Sequence, residues 1–440
     1  MIDDEPEVLD VTRLFLSRDE ELSIDGCTSG KEALRKLGSK IYDVIVSDYM
    51  MPDLDGITLL KTLKFQGIET PVIMFTGKGK EEVVIEALNS GATFYVQKGE
   101  DPRFQFAKLR RMIHEAAKSK QIVEVYQEYN LCVVVPAFNE EKLIGQTLDT
   151  IPGYITRIYA IDDASTDRTS EIIQEYIKKD PRIVHIRHDT NVGVGAAIVA
   201  GYKRALTDGM EIAVVMAGDN QMDPAYLPNL LDPIIYRQAD YTVGNRLLSP
   251  EFRKEMSKWR FFGNAILTLF TKIASGYWQM MDPQNGYTAI SRRALERVDL
   301  NTVYTRYGYC NDLLVRLNVA GLKVRNVPHP ARYGEEVSGI RYRTYISRLS
   351  GLLFMDFLWR MKTKYIILNF HPLVFFYLFG SIITLMSILG GLFALYEKLA
   401  MGNSLFIPGI LMLLLFIMGM MLVLFAMLFD MEQERQIGWY

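Results

Sequence analysis

A chain of 440 residues with 49% hydrophobic content and a mean hydropathy of +0.06 has room for two or three domains and is more apolar than a wholly soluble protein. A formal charge of −3 and a pI near 6.1 argue against nucleic acid as the main partner, because surfaces that bind it are strongly basic. Cys27, Cys132 and Cys310 are widely spaced, which argues against a disulfide framework and a zinc site, and the acidic N-terminal stretch lacks the long apolar run of a signal peptide.

Residues 1–118 alternate short apolar runs (42–47, 71–75, 93–96) with amphipathic segments, the pattern of a parallel α/β sheet. The runs end in Ser47-Asp48, Phe75-Thr76 and Gln97-Lys98, and Asp3-Asp4 supplies a fourth corner. Strand C-termini gather at one edge of such a sheet. An acidic pair, a lone Asp, a hydroxyl and a Lys can therefore share one pocket that holds Mg²⁺ beside a carboxylate nucleophile. Residues 43–56, Asp-Val-Ile-Val-Ser-Asp-Tyr-Met-Met-Pro-Asp-Leu-Asp-Gly, resemble the phosphoacceptor segment of response-regulator receiver domains. The resemblance implies a flavodoxin-like fold, with Asp48 as phosphoacceptor and Asp3, Asp4 and Asp48 around Mg²⁺. It also implies Thr76 and Lys98 as phosphoryl sensors, Tyr95 as the aromatic switch and a sensor histidine kinase as partner. Two departures stand out: only Met1 and Ile2 precede Asp3, where the family has a whole central strand, and Gly99 follows Lys98 where the family has Pro.

Residues 119–129 form a polar, helix-permissive linker that either extends the last receiver helix or acts as a plain spacer. A second α/β pattern occupies 130–344. Residues 131–135 read as a strand that opens onto Pro136-Ala137-Phe138-Asn139-Glu140-Glu141, and 158–161 as one that opens onto Asp162-Asp163-Ala164-Ser165-Thr166-Asp167-Arg168-Thr169. Acidic side chains there can accept hydrogen bonds from a base or a ribose, as expected of Asp163, or cap a helix, as expected of Asp167 and Thr169. Gly193-Val194-Gly195 opens an Ala-rich helix whose backbone N–H groups can receive an anion. Residues 212–215 then form a buried strand that ends in Ala217-Gly218-Asp219-Asn220-Gln221-Met222-Asp223-Pro224. Asp219, Gln221 and Asp223 alternate along this loop and offer oxygens to a hard divalent cation.

In this order, with Gly244-Asn245-Arg246, Asp282-Pro283-Gln284-Asn285-Gly286-Tyr287 and Asn311-Asp312, the segments resemble a family 2 glycosyltransferase of the GT-A, Rossmann-like fold. The similarity is to dolichol-phosphate mannose synthases and other polyprenyl-phosphate glycosyltransferases. It implies a nucleotide-sugar pocket from Pro136, Phe138, Glu140, Ile161 and Asp163, and a Mg²⁺ or Mn²⁺ site from Asp219 and Gln221. Arg246, Arg332 and Ser338 are implied near the diphosphate or the acceptor phosphate. Ala217 stands where the family's metal segment has its first Asp. The expected chemistry is in-line, inverting attack on the anomeric carbon, with the metal neutralising charge on the departing diphosphate. A lipid phosphate acceptor is already an anion and needs no strong base, whereas Asp312 is a candidate base for a hydroxyl acceptor. Asp282 reads either as catalytic or as part of an Asp-Pro turn. His185, His188 and His329 read as structural or surface residues.

Residues 372–396 and 405–429 lack charge and are long enough to span a bilayer as two helices. Arg341, Arg343, Arg348, Arg360, Lys362 and Lys364 precede the first span, against Lys398 alone in the hairpin. That bias implies a multi-pass membrane protein with its receiver and catalytic parts in the cytoplasm. Within 345–365, Ile346, Leu349, Leu353 and Phe357 recur at helical spacing, which suggests an interfacial helix, with packing on the catalytic domain as the alternative. The reading as a whole is a membrane-anchored sugar transferase to polyprenyl phosphate under receiver control. The rivals are transfer to a glycan hydroxyl and a phosphorylation-responsive scaffold with a degenerate transferase domain. A processive synthase is disfavoured by the absence of Gln-x-x-Arg-Trp.

Overall fold

The structure, a computed structural model, describes residues 1–440 apart from 18, 67, 69, 78–85, 88–89, 100–101, 248–257, 331–341, 403 and 438–440, with backbone alone for 103, 119, 121–123, 258–262, 264, 342–347 and 435–437. It divides into two compact units, Met1–Glu128 and Tyr129–Tyr440.

In the first unit, β1 (Ile45–Ser47), β2 (Val72–Thr76) and β3 (Phe94–Gln97) form a parallel sheet in the order β1-β2-β3. Around it lie α1 (Pro6–Leu16), α2 (Gly30–Leu37), α3 (Gly56–Phe65) and α4 (Pro102–Gln127). The run Val-Ile-Met-Phe is buried on both faces because helices cover each side of a parallel sheet. Val72 and Met74 pack with Leu59, Leu60 and Leu63 of α3, whereas Ile73 and Phe75 pack with Leu109 and Ile113 of α4. Ser29 and Asp55 start α2 and α3 by accepting from the N–H groups of Glu32 and Thr58. Ile2 bridges Cys27 on one side and Ser47 on the other, both in parallel. Its N–H donates to Val46 O at 2.8 Å, and Asp48 N–H donates to Ile2 O at 2.9 Å. One residue therefore keeps the family's central position and its hydrogen bonds. Residues 119–127 continue α4 as helix.

The second unit is built on a seven-stranded sheet: β4 (Leu131–Ala137), β5 (Arg157–Asp162), β6 (Ile183–Arg187), β7 (Ile212–Val215), β8 (Tyr241–Asn245), β9 (Thr288–Ser291) and β10 (Val324–Pro328). The order is β10-β8-β9-β7-β4-β5-β6, and β9 alone runs antiparallel to its neighbours. Helices α5 (Ile144–Thr150), α6 (Thr169–Ile177), α7 (Val194–Thr207), α8 (Leu227–Ile235), α9 (Lys258–Ser275), α10 (Arg292–Arg297) and α11 (Tyr309–Val319) pack around it. Strand β4 is buried along its whole length, with β5 on one side and β7 on the other, so the chain reverses its direction of travel across the sheet at β4. Crevices open at such a point, at the C-terminal edge of the strands.

Helix α12 (Tyr342–Lys362) leads through a π-helical turn, Thr363–Leu368, into α13 (Leu373–Met401) and α14 (Phe406–Ile437). The last two are long and apolar enough to cross a membrane, with mean hydropathies of 2.2 and 2.9. The apolar stripe of α12 does not form a membrane-facing surface. Leu349 and Leu353 are buried against Leu267 and Ala274 of α9 and Val315 of α11. The side chain of Ile346 lies outside the described residues. Periodicity reveals a stripe but not what covers it, and here α9 and α11 cover it. Phe354, Met355, Leu358 and Trp359 on α12 are exposed instead, as are Ile266, Leu269 and Phe270 on α9.

One ion pair fastens the hairpin to the catalytic unit. Arg360 and Asp430 are 0% and 1% exposed, and the guanidinium meets the carboxylate with two hydrogen bonds of 2.8 Å. Ile273 O accepts a third from Arg360, and Tyr365 OH donates to Asp430 at 2.7 Å. Nearby, Glu434 accepts from Trp278 N–H at 2.9 Å. Removing one member of a buried pair strands the other charge, at a cost of about 3–5 kcal/mol. Arg360→Met and Asp430→Leu should therefore each lower the unfolding midpoint of the detergent-solubilised protein sharply, while the double variant recovers most of the loss; additive losses would contradict this.

Candidate functional site

At the C-terminal edge of the receiver sheet, Asp3, Asp4 and Asp48 place carboxylate oxygens within 4.8 Å of one another. Lys98 Nζ lies 2.6 Å from Asp3 and 3.4 Å from Asp48. Three carboxylates against one ammonium leave an excess of negative charge, a donor set that suits a hard divalent cation. Burial pushes the Asp3 carboxyl above its ordinary range despite Lys98. Thr76 ends β2 in a buried position and its carbonyl accepts from Lys98 N–H at 2.8 Å, and Tyr95 stands half-buried on β3. Gly99 adopts φ +106° and its N–H donates to Gln105 at 3.1 Å. Proline could do neither, so the departure from the family at this position changes the backbone and not only the side chain.

The crevice edge of the second unit is built from the loops after β4, β5 and β7. Among the described residues, four non-glycine residues have positive φ, and three of them sit one to each of these loops: Asn139 (58°), Ala164 (62°) and Asn220 (55°). Such conformations cost on the order of 1–3 kcal/mol each and persist where surrounding bonds impose them. Asn139 N–H donates to Ser165 Oγ at 3.0 Å and Asn139 Oδ1 accepts from Thr166 N–H at 2.8 Å, so the first two loops hold each other. Asp162 Oδ1 closes the second loop by accepting from Ser165 N–H at 2.8 Å, and Asn220 donates to Gln146 on α5.

Of the expected nucleotide residues, Pro136 and Ile161 pair in register and are buried, so they form the floor of the crevice. Phe138 is exposed and Glu140 half-exposed. Asp163 is turned inward: its carboxylate accepts from Val192 N–H at 3.1 Å and Gly193 N–H at 2.8 Å, and lies 2.8 Å from His188 Nδ1. The N-terminus of α7, expected to receive an external anion, is thus filled by the protein itself, with Ala196 N–H donating to Thr305 O at 3.0 Å. Gly195 has no room for a methyl group, since a Cβ there would collide with Tyr304 O. Asp167 accepts from Thr169 N–H and Glu141 N–H, which is capping work. The pairing of His188 with Asp163 has no signal in sequence spacing. It arises because β6 lies beside β5, with Asp162 opposite Arg187.

In the loop after β7, Asp219 and Gln221 are half-exposed, and Asp219 Oδ1 accepts from Gln221 N–H at 3.1 Å. Asp223 is spent on the short helix that follows, accepting from Ala225 N–H at 3.0 Å. Ala217 N–H donates to Met222 Sδ at 3.2 Å, which folds the loop back where the family has a carboxylate. One carboxylate with one amide suits a hard cation that shares its remaining positions with phosphate oxygens and water.

Arg246 grips Asp282 through Nε at 2.7 Å and Nη2 at 3.0 Å, a bidentate pair whose carboxylate is buried while a quarter of the arginine side chain is exposed. Asp312 is also buried. It accepts from Tyr304 N–H at 2.7 Å and from Arg316 Nε at 2.8 Å, an arrangement that commits it to its neighbours and not to a substrate proton. His329 is buried edge-on to Tyr226 and Tyr287. Arg332 and Ser338 lie outside the described residues.

Two outcomes are expected. Because the raised carboxyl of Asp3 binds its proton more tightly folded than unfolded, its ionisation costs stability as pH rises above the ordinary carboxylate range. In metal-free protein near neutral pH, Asp3→Asn should therefore raise the receiver's unfolding midpoint and abolish the further gain on adding Mg²⁺; an unchanged Mg²⁺ response would contradict the site. Gly195→Ala should lower stability by about 1–3 kcal/mol through overpacking, read from chemical unfolding.

Comparison with known proteins places both units. The family model described as response regulator receiver domain matches residues 1–133, and the one described as glycosyl transferase family 2 matches residues 132–299. UDP-N-acetylglucosamine–dolichyl-phosphate N-acetylglucosaminyltransferase of Methanococcus voltae is 30% identical over 216 residues, 46% of this chain and 86% of that protein. Polyprenol monophosphomannose synthase of Mycolicibacterium smegmatis is 31% identical over 209 residues, 44% of this chain and 75% of that protein. Response regulator SaeR of Staphylococcus aureus is 33% identical over 118 residues, 27% of this chain and 51% of that protein. The chain belongs to the family 2 glycosyltransferases and carries a response-regulator receiver domain ahead of its catalytic unit.

Proposed function

We propose that the protein transfers a sugar, with inversion, from a nucleotide donor to a polyprenyl phosphate at the cytoplasmic face of a membrane, under the control of Asp48 phosphorylation. The observation that carries this reading is that the strand edge bearing Asp219 and the two long apolar helices belong to one packed unit, joined by the buried Arg360–Asp430 pair. A lipid-borne acceptor is the substrate that such a union serves. The exposed apolar residues of α9 and α12 support the same placement, and relatives named for dolichyl and polyprenol phosphates support this acceptor class. The excess of Arg and Lys before α13 supports a cytoplasmic catalytic unit, although Arg360 itself is buried in protein.

Phe138 and Glu140 offer the accessible side chains of the donor crevice over the floor of Pro136 and Ile161. Asp219 and Gln221 would hold Mg²⁺ or Mn²⁺, which supplies neutralisation of the charge on the departing diphosphate. Arg246, fixed by Asp282, presents a guanidinium in a rigid setting suited to phosphate oxygens. The anionic acceptor oxygen attacks the anomeric carbon without a proton acceptor, in keeping with the commitment of Asp312 to Tyr304 and Arg316. In the receiver, Asp3, Asp4 and Asp48 would hold Mg²⁺ beside the carboxylate that accepts the phosphoryl group, and a histidine kinase would be the donor partner.

The test is mass spectrometry of lipid products after incubating the full-length protein with polyprenyl phosphate, Mn²⁺ and a panel of sugar nucleotides. One glycosyl phospholipid is expected, reduced roughly 100-fold or more in Asp219→Ala. Donor hydrolysis without a lipid product would redirect the reading to a hydroxyl acceptor, and no donor turnover at all to the scaffold. Acetyl phosphate should change the rate of the wild-type protein and leave that of Asp48→Asn untouched.

A further inference from the structure

The strand register sets three residues in a row at the edge of the crevice. Ala137 pairs with Asp162, and Asp162 pairs in turn with Arg187, so the residues that leave β4, β5 and β6 side by side are Phe138, Asp163 and His188. Backbone bonds hold the row together: Asp163 N–H donates to Ala137 O at 2.9 Å, and His188 N–H donates to Asp162 O at 2.9 Å. Neighbouring strands lie about 5 Å apart, which separates the backbones of the two flanking residues by roughly 10 Å, the span of a nucleoside.

The middle residue is the least available of the three. Asp163 is 3% exposed, against 45% for Phe138 and 20% for the side chain of His188. By sequence Asp163 is the expected ligand of the base and His188 a structural residue. In the fold, the Asp163 carboxylate accepts from Val192 N–H at 3.1 Å and Gly193 N–H at 2.8 Å, and is the partner of His188 Nδ1 at 2.8 Å. A carboxylate that accepts from two backbone N–H groups accepts from the imidazole as well, so Nδ1 carries the hydrogen. That bond fixes the ring, and in the neutral tautomer it leaves a lone pair on the opposite nitrogen. No bond to His188 Nε2 is found among the described residues. An accessible aromatic ring at one end of the row and a fixed acceptor at the other suit a planar base that carries a ring N–H.

We propose that His188 is the residue that reads the base of the sugar nucleotide: Asp163 fixes its ring through Nδ1–H, and Nε2 accepts the ring N–H of an oxo base such as uracil or guanine, with Phe138 as the apolar flank. The inference rests on the sugar-nucleotide reading above. Cytosine carries a lone pair where uracil carries its ring N–H, so it offers Nε2 nothing to accept.

The experiment titrates full-length wild type, His188→Asn and His188→Leu in detergent and Mn²⁺ with UDP, GDP, CDP, UDP methylated at N3 and GDP methylated at N1, and records unfolding midpoints. The Asn amide stands where Nδ1 does and still donates to Asp163, but it has nothing at the position of Nε2; Leu lacks both. Wild type is expected to bind UDP or GDP, and to bind CDP and the methylated form of that nucleotide about tenfold more weakly. His188→Asn should keep a midpoint near that of wild type, lose about tenfold in affinity and no longer distinguish the methylated form. His188→Leu should lose as much affinity and melt earlier. Equal binding of the methylated form by wild type would overturn the proposal without any variant. Full affinity or persistent discrimination in His188→Asn would overturn it too, and would leave the sugar-nucleotide reading standing. If wild type bound none of the nucleotides, that reading would fall and the proposal with it.

Discussion

At β4 the chain turns about in its passage across the sheet, laying β5 and β6 to one side and β7 with its antiparallel neighbour to the other. Everything chemical in the second unit follows from that divergence. The loops after β4, β5 and β7 are left facing one crevice, and each holds a non-glycine residue at positive φ. The first two loops bond to each other, Asn139 N–H donating to Ser165 Oγ and Asn139 Oδ1 accepting from Thr166 N–H. A crevice whose walls brace each other is rigid before substrate arrives, and rigidity of this kind lets fixed groups act on developing charge without reorganising.

The same economy of charge recurs throughout the molecule. Several buried acids are answered: Asp282 by Arg246, Asp312 by Arg316, Asp430 by Arg360, Asp163 by two backbone N–H groups and His188. At the transferase edge Asp219 and Gln221 are half-exposed, as is Glu140. In the receiver the balance is deliberately unequal, three carboxylates to one lysine, and the surplus suits a divalent cation.

Much of this organisation was legible in the chain. The strand ends at Asp48, Thr76 and Lys98, the ordered loops from Pro136 to Asp312 and the two uncharged spans are local patterns, carried by residues a few positions apart. The partners were not legible. His188 is 25 residues from Asp163, Asp430 is 70 from Arg360, and no periodicity connects them. Asp312 read as a candidate base for a hydroxyl acceptor, but it is paired with Arg316 one helical turn on and with the N–H of Tyr304. The α12 stripe was read correctly as apolar, but what it meets depends on α9 and α11, which only folding brings alongside. Ile2 is the opposite case: too short a run to read as a strand, it is bonded to Val46 and Asp48 through its backbone.

By itself, then, the sequence determined which elements form, in what order, and which side chains are available at the strand ends, because propensity, periodicity and turn chemistry act over a few residues. Only the tertiary structure decided which of those side chains are spent on one another and which remain for a ligand. Hydrogen bonding and charge pairing act at about 3 Å in space, irrespective of separation along the chain.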